Sequence, residues 1–188
     1  HDDIMDNDRL RRGSATVFAQ YEKLARGDKA AAFGRSMGIC AGDVGFFAAW
    51  DILSRLAVEP GRKARVLGLV AGEMCAVGAA QMQDVALGTF ARLPGPDEVL
   101  DLYLHKTARY TFSLPLACGA ILAGAGEAAV NRLVRLGMYL GTVFQIRDDE
   151  LGLFGSPART GKPAGSDIRE GKKTLLALEM LRRARGPE

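Results

Sequence analysis

The sequence is poor in the features that mark several protein classes. It has three widely spaced cysteines, Cys40, Cys75 and Cys118, and no CxxC pair, so neither a disulfide framework nor a zinc site is indicated. The formal net charge is only +3, and no basic stripe is interleaved with aromatic residues, so nucleic acid is not an expected partner. No uninterrupted apolar run reaches the ~18 residues typical of a membrane span, and the first residues lack the layout of a signal peptide. We expect a soluble, cytoplasmic protein whose cysteines are small buried hydrophobes.

Strand patterns are also missing, whereas helix patterns are frequent. Glycine and proline interrupt long apolar stretches that show no period-two alternation, which predicts an all-α fold. The predicted helices cover 1–12, 30–56, 62–90, 97–112 with a kink or restart at Pro115, 127–154 and 173–185. The second of these carries Gly34, Gly38, Gly42 and Gly45. Because each glycine costs a helix roughly 1 kcal/mol relative to alanine, this spacing indicates close backbone packing.

Two acidic clusters are the main candidates for function. They are His1-Asp2-Asp3-Ile4-Met5-Asp6 and Gln145-Ile146-Arg147-Asp148-Asp149-Glu150. A single cluster of this kind is most often a solvated helix face or a helix N-terminus favoured by the dipole. Two of them favour cation binding, because carboxylates at such spacing repel one another unless they are neutralised. Oxygen ligands without cysteine indicate a hard cation, with Mg²⁺ ahead of any transition metal.

Basic residues follow both clusters at short range. Arg11 and Arg12 follow the first, and Lys162, Lys172 and Lys173 follow the second. Arginine offers a planar fork to phosphate oxygens, whereas lysine offers a compact charge. Mg²⁺ held by a few carboxylates usually completes its shell with water and substrate phosphate. The combination therefore indicates a diphosphate-binding site.

The ordered set of motifs resembles that of the trans-isoprenyl diphosphate synthases, the polyprenyl synthetases that join isopentenyl diphosphate to an allylic diphosphate. The resemblance covers nearly the whole chain and includes both aspartate motifs and the lysine motifs that follow the second. Further matching segments are Ala41-Gly42-Asp43, Gln81-Met82-Gln83-Asp84 and Lys106-Thr107. The implied fold is an all-α isoprenoid synthase-type bundle around a central cavity, as one domain over 1–188. A homodimer is implied as well.

The resemblance also implies a metal site with three Mg²⁺ ions when diphosphate is bound. Asp2 and Asp6 would ligate two of the ions, and Asp148 would ligate the third from the opposite wall. Asp3 and Asp149 would complete the metal site as outer-sphere or water-mediated partners. His1 would orient the first motif, whereas His105 is expected to be structural.

Substrate-binding and catalytic residues follow from the same resemblance. The residues expected to bind the diphosphates are Arg11, Arg12, Lys106, Lys162 and Lys172. Of these, Arg12 would bind isopentenyl diphosphate, and Lys172 would either contact substrate or pair with the second aspartate cluster. Lys106, Thr107 and Gln145 would be catalytic, the last two by turning oxygen dipoles towards an allylic cation. The implied reaction is Mg²⁺-assisted ionisation and condensation to a short product, farnesyl or geranylgeranyl diphosphate.

Some positions depart from the family pattern and leave alternatives open. Gly152 occupies the place where a third aspartate often lies in the second motif, and Glu150 is not at the helical angle that would replace it. The chain also lacks the N-terminal helices and a Gly-Lys-Arg segment, so we expect a fragment of a longer synthase. A non-catalytic subunit that modulates a partner synthase and a class I terpene cyclase are the alternatives. The intact first cluster disfavours the former, and the Asp148-Asp149 pair disfavours the latter.

Overall fold

The computed structural model describes residues 1–90, 92–155, 165, 168 and 171–184, and this part of the chain is predominantly helical. The α-helices are α1 (Asp2–Met5), α2 (Val17–Glu22), α3 (Ala30–Ser54), α4 (Pro60–Thr89), α5 (Pro96–Tyr103), α6 (Leu114–Leu122), α7 (Glu127–Phe154) and α8 (Leu175–Ala184). A 3-10 turn, Gly27–Lys29, precedes α3, and a π-helix, Leu104–Ser113, joins α5 to α6. A two-residue antiparallel hairpin, β1 (Leu10–Arg11) and β2 (Ser14–Ala15), follows α1. The all-α prediction is confirmed.

The predicted helix over 1–12 is wrong, although the long helices α3, α4 and α7 agree with prediction to within two residues. Helix α1 ends at Met5 because Asn7 adopts a φ of 53°, in the left-handed region where a right-handed helix cannot continue. Arg12 and Gly13 also have positive φ, 52° and 77°, and they form the turn of the hairpin. The chain therefore doubles back over its own start.

Pro115 marks a change of helix type without ending the helix. The π-helix passes directly into α6 at Leu114, and Pro115 lies in the first turn of α6. Proline has no N–H to donate and tolerates the first helical turn. The change of hydrogen-bond register from π to α therefore falls next to the proline. The predicted restart is thus a switch from π to α geometry.

One compact unit is built on residues 1–56, and glycines bring its helices together. A Cβ atom on Gly34 would lie 2.7 Å from the carbonyl oxygen of Phe18, and one on Gly38 would lie 2.8 Å from the Phe18 Cβ. Phe18, on α2, is only 3% exposed. Close backbone packing is confirmed at these glycines, but not at Gly45, where an added Cβ would meet nothing within 4 Å.

The second compact unit contains residues 57–155 and α8. Helices α4, α6 and α7 share a core whose buried members are Val66, Ala117, Ala120, Ile121 and Val130. A smaller cluster, Ala80, Leu87 and Leu102, joins the C-terminal half of α4 to α5. Between these clusters, the guanidinium of Arg109, on the π-helix, donates two hydrogen bonds to the carboxylate of Glu73, on α4. The nitrogen–oxygen distances are 2.9 and 2.6 Å. The π-helix is therefore fixed from the α4 side by a bidentate ion pair.

The prediction of buried cysteines is wrong for two of the three. Cys40 and Cys75 are exposed, and Cys118 is partly buried. Cys40 and Cys75 lie on exposed faces of α3 and α4 in the part of the chain that the structure describes. An apolar sequence run does not by itself bury every residue of a helix.

Two helical stretches pass a length-and-composition test for a membrane span. They are Gly27–Ser54 and Pro60–Thr89, each with a mean hydropathy of 1.2 in its most apolar window. Core helices of soluble proteins pass the same test, so the finding is weak evidence for a membrane. The sequence count missed these stretches because charged residues such as Arg35 and Asp43 interrupt the apolar run.

Candidate active site

Arg11 lies at the centre of the first acidic cluster. Its Nε donates to Asp3 Oδ1 at 2.5 Å, and its Nη2 lies 3.5 Å from Asp2 Oδ2 and 3.8 Å from Asp8 Oδ2. Burial would lower the pKa of Arg11, but the hydrogen bond and charge of Asp3, with the charges of Asp2 and Asp8, raise it above its usual value. The hairpin that carries Arg11 thus offsets the mutual repulsion of three carboxylates.

His1 fixes the start of this cluster against α3. Its Nε2 lies 2.9 Å from the carbonyl oxygen of Ile39 and 3.2 Å from Asp43 Oδ1. A Cβ atom on Gly42 would come within 2.5 Å of the imidazole, so the ring lies directly on the α3 backbone. The Phe46 ring lies beside it, with a centroid distance of 5.6 Å. These contacts fit the expected role of His1 in orienting the first motif.

The first cluster offers oxygen ligands without forming a closed metal site. The Asp2 side chain is 57% exposed, and Asp6 is half-buried. A cavity of about 150 Å³ adjoins Asp3 and His1. In the part of the chain that the structure describes, no three His, Cys, Asp or Glu side chains converge to hold a metal ion. Such a set fits Mg²⁺, which is usually bound through one or two carboxylates plus water and substrate phosphate.

The two aspartates of the second cluster have different environments. Asp149 is 6% exposed, its Oδ1 accepts from Gln145 Nε2 at 2.9 Å, and its Oδ2 accepts from the Tyr103 hydroxyl. Asp148 is exposed and has no ion pair with any residue in the described ranges. Asp148 is therefore the carboxylate available to a metal. The arrangement of Asp149 favours the outer-sphere role over direct ligation.

Thr107 and Gln145 are joined by a hydrogen bond whose direction is defined. Thr107 Oγ1 donates to Gln145 Oε1 at 2.6 Å, while the Gln145 amide nitrogen donates to Asp149. Thr107 is only 9% exposed. These side chains belong to the π-helix and α7, so the structure brings together two catalytic candidates that are 38 positions apart.

Glycines on α7 let the π-helix approach closely. A Cβ atom on Gly141 would lie 2.3 Å from the Ala108 Cα, and one on Gly137 would lie 2.6 Å from the Ser113 Cα. Both obstacles are backbone atoms, so no side-chain rotation could relieve the overlap. π-Helical turns occur frequently at functional sites. Here the π-helix carries Lys106 and Thr107.

The basic residues of the second unit have distinct partners. Lys106 forms an ion pair with Asp84, and the two side chains are 27% and 25% exposed. Lys173 Nζ donates to the backbone carbonyl oxygens of Leu87, Phe90 and Arg92 at the end of α4. Its charge is thus committed to capping α4, a structural role that sequence reasoning did not foresee.

The remaining substrate-binding candidates are less defined. Lys172 is half-buried and has interactions within the protein. Arg12 is exposed in the hairpin turn. Lys162 lies outside the described residues.

Sequence reasoning missed Tyr103. This tyrosine is 6% exposed at the end of α5, and its hydroxyl contacts both Asp149 and the backbone N–H of Leu175. A signal was present in the spacing, because Tyr103 precedes Thr107 by four positions, as Gln145 precedes Asp149. Residues four apart share a helix face, so the spacing predicts that the side chains of each pair lie close together.

The helical fold and its ordered carboxylate, lysine and threonine–glutamine motifs define an all-α protein of the isoprenoid synthase class. The sequence model of the polyprenyl synthetase family matches residues 1–188. The chain belongs to the polyprenyl synthetase family, and the resemblance found in the sequence is confirmed.

Individual relatives support this assignment. The short chain isoprenyl diphosphate synthase of Methanocaldococcus jannaschii is 34% identical over 183 residues, which cover 97% of this chain and 51% of that protein. The geranylgeranyl diphosphate synthase of Saccharolobus solfataricus is 36% identical over 188 residues, covering 98% and 52%. A crystal structure of geranylgeranyl pyrophosphate synthase from Corynebacterium glutamicum, complexed with isoprenyl diphosphate and magnesium, has a TM-score of 0.90 and 38% identity, covering 99% of this chain and 53% of that one. The chain spans about half the length of the curated relatives it matches.

Proposed function

We propose that the protein is a Mg²⁺-dependent prenyltransferase that condenses isopentenyl diphosphate with an allylic diphosphate into a short trans-polyprenyl diphosphate. The observation that carries the proposal is the set of groups on the π-helix and α7. An ion-paired lysine, Lys106, adjoins the hydrogen-bonded Thr107 and Gln145, and the exposed Asp148 lies on the same helix as Gln145. A phosphate-binding cation, oxygen atoms for a carbocation and a free carboxylate for a metal are the groups this reaction needs.

Ionisation of an allylic diphosphate separates an anionic leaving group from a carbocation. Charges aimed at the developing diphosphate lower that barrier, and Mg²⁺ would supply Lewis-acid stabilisation of the leaving oxygens. Asp2, Asp6 and Asp148 are the residues we assign to hold the ions, three of which we expect with diphosphate bound. Asp3 and Asp149 would act through hydrogen bonds, each within its own acidic cluster.

Lys106 would stabilise the departing diphosphate, and Thr107 would stabilise the carbocation that it leaves behind. The ion pair with Asp84 holds the Lys106 ammonium in position before a diphosphate binds, which reduces the ordering that binding must bring about. The hydroxyl hydrogen of Thr107 is committed to Gln145, so this oxygen has only lone pairs left to offer. A lone pair without a competing proton stabilises a nearby carbocation.

The relatives favour a product of farnesyl or geranylgeranyl length, since several are geranylgeranyl diphosphate synthases. We propose a homodimer in the cytoplasm as the working form. Large apolar residues on α3, Val44, Phe47 and Ile52, are 67%, 74% and 66% exposed within the chain. Val44 and Phe47, three positions apart, share one face of α3, and exposed apolar surface of this kind marks association sites in soluble proteins. Light scattering of the full-length protein tests the dimer, and a monomer at high concentration contradicts it.

Product analysis tests the reaction. The full-length protein is incubated with labelled isopentenyl diphosphate, an allylic diphosphate and Mg²⁺, and elongated diphosphates are expected. Asp148→Ala should lower turnover at least ~100-fold, by the loss of charge stabilisation at the leaving group. Asp51→Ala, which removes an exposed carboxylate paired with Arg55 on α3, is the matched control and should leave turnover unchanged.

The alternatives give different products. A cyclised hydrocarbon would identify a terpene cyclase. No product from the protein alone, with an altered rate in a co-purifying synthase, would identify a modulating subunit. Wild-type turnover in Asp148→Ala with normal dependence on Mg²⁺ would remove Asp148 from the mechanism.

A further inference from the structure

We propose that Tyr103 is a positioning residue, whose hydroxyl ties the start of α8 to the carboxylate that orients Gln145. The inference rests on the proposed prenyl transfer. The Tyr103 hydroxyl donates to Asp149 Oδ2 and accepts from the backbone N–H of Leu175 at 3.1 Å. One buried atom therefore connects α5, α7 and the first residue of α8.

The direction of each hydrogen bond follows from the chemistry of Asp149. An ionised carboxylate only accepts hydrogen bonds. Gln145 must therefore turn its Nε2 towards Asp149, which leaves its Oε1 for the hydroxyl hydrogen of Thr107. If the carboxylate were lost or displaced, the amide could rotate by half a turn, and its nitrogen would then face Thr107. The orientation of the Thr107 lone pairs thus depends on Asp149.

Tyr103 fixes the second oxygen of the same carboxylate. Asp149 is 6% exposed, its Oδ1 accepts from Gln145, and its Oδ2 accepts from Tyr103. Removal of the phenol hydroxyl would take away the hydrogen bond that Tyr103 donates to Oδ2. The carboxylate would then rotate or admit water, and its hydrogen bond with the Gln145 amide would weaken. Tyr103 therefore acts on the reacting carbon through Asp149, Gln145 and Thr107.

The hydroxyl also anchors the segment before α8. The first N–H groups of a helix have no partner within the helix. Thr174 Oγ1 accepts from the N–H of Ala177 at 3.1 Å, so the N–H of Leu175 relies on Tyr103. Two positions earlier, Lys173 binds the end of α4. The short segment that carries Lys172 is therefore held by the contacts of Lys173 and of Leu175. The Leu175 contact is made to Tyr103, which also belongs to the hydrogen-bond chain that leads to Thr107.

Steady-state kinetics of Tyr103→Phe in the full-length protein test the inference. The ring stays buried, and only the hydroxyl is lost. We expect kcat to fall by about 10- to 100-fold, the range seen when an outer-shell partner is removed, with a smaller change in KM for the diphosphates. Tyr139→Phe is the matched control, because Tyr139 lies on α7 with 73% exposure, and its kcat should not change.

A double-mutant cycle separates positioning from general destabilisation. Asp149→Asn should also lower kcat, and adding Tyr103→Phe to it should cause little further loss, because both act on the same amide. Additive losses would overturn the inference, as would an unchanged kcat in Tyr103→Phe. If Tyr103→Phe melts below the assay temperature, Asp149→Asn carries the test, and wild-type kcat in that variant overturns the inference.

Hydrogen exchange gives a readout that does not depend on activity. The Leu175 amide should lose its protection in Tyr103→Phe, while the Ala177 amide, capped by Thr174, should keep it. Equal protection of Leu175 in both proteins would contradict the anchor. Failure of the wild-type protein to elongate any allylic diphosphate would refute the proposed function, whereas elongation with an unchanged Tyr103→Phe would refute only the role of Tyr103.

Discussion

Replacing Gly141 with alanine should push the π-helix away from α7. The added Cβ would lie 2.3 Å from the Ala108 Cα, 2.6 Å from the Ala108 Cβ and 3.0 Å from Phe112 Cδ2. Carbon atoms prefer separations of roughly 3.5 Å or more, so the backbone of the π-helix would have to move by about an ångström. Because Thr107 precedes Ala108 directly, its hydrogen bond to Gln145 would be stretched by the same movement.

The expected loss of stability follows from two opposing terms. Overpacking of a core costs about 1–3 kcal/mol and sometimes more, and a backbone obstacle favours the upper end. Alanine returns about 1 kcal/mol through its better helix propensity. The net destabilisation should be about 2 kcal/mol, which corresponds to a Tm lower by about 4–8 °C for a domain of 150–250 residues and less for a longer protein.

Thermal and urea unfolding of the full-length protein measure this change, alongside prenyl transfer activity. Gly119→Ala is the matched control, because a Cβ added at this position of α6 would meet nothing within 4 Å. The control should be neutral or stabilised by up to about 1 kcal/mol. Equal stability of Gly141→Ala and wild type, or equal destabilisation of both variants, would refute the packing argument.

Three further outcomes are expected. Lys173→Met should destabilise the full-length protein by about 2 kcal/mol in urea titrations, because three carbonyl groups lose a charged donor; an unchanged midpoint would show that water replaces it. At neutral pH, iodoacetamide should label Cys118 more slowly than Cys40 and Cys75, because burial raises the pKa of the Cys118 thiol whereas the other two are exposed; mass spectrometry would reveal equal labelling if this is wrong. Two arginine side chains lower the pKa of Glu179 to about 2 from an ordinary value of 4.5, so its contribution to α8 should be complete above pH 4.5 and lost as the pH falls towards 2; a carboxyl NMR titration midpoint near 4.5 would contradict this.

The long helices were predictable from sequence because their apolar and glycine patterns act locally. Helix α7 begins and ends where predicted, at Glu127 and Phe154. The start of the chain was not predictable in this way, because the left-handed backbone at Asn7 and Arg12 overrides the helical preference of the acidic segment. The exposed positions of Cys40 and Cys75 depend on which elements cover α3 and α4, and helix periodicity carries no such information.

The residue types of the candidate site could be predicted, but their individual roles could not. The motifs identified Thr107, Gln145 and Asp149, yet their hydrogen-bond order depends on how the π-helix approaches α7. Lys173 illustrates the limit, since its three carbonyl partners lie at least 81 positions earlier. A lysine that follows an aspartate motif has the same local sequence whether it binds phosphate or caps a distant helix.

The π-helix also changes which residues of this stretch form its buried face. On a standard helical wheel, residues five apart are separated by about 140°, so Ala108 and Ser113 would be drawn on different sides. In the structure both lie against α7, opposite Gly141 and Gly137, which are four apart. Contact positions five residues apart on the π-helix therefore pack against contact positions four residues apart on α7. Amphipathicity plots with a fixed period of 3.6 will therefore misassign the buried face between Leu104 and Ser113. Redesign of this segment should place the residues that face α7 five positions apart.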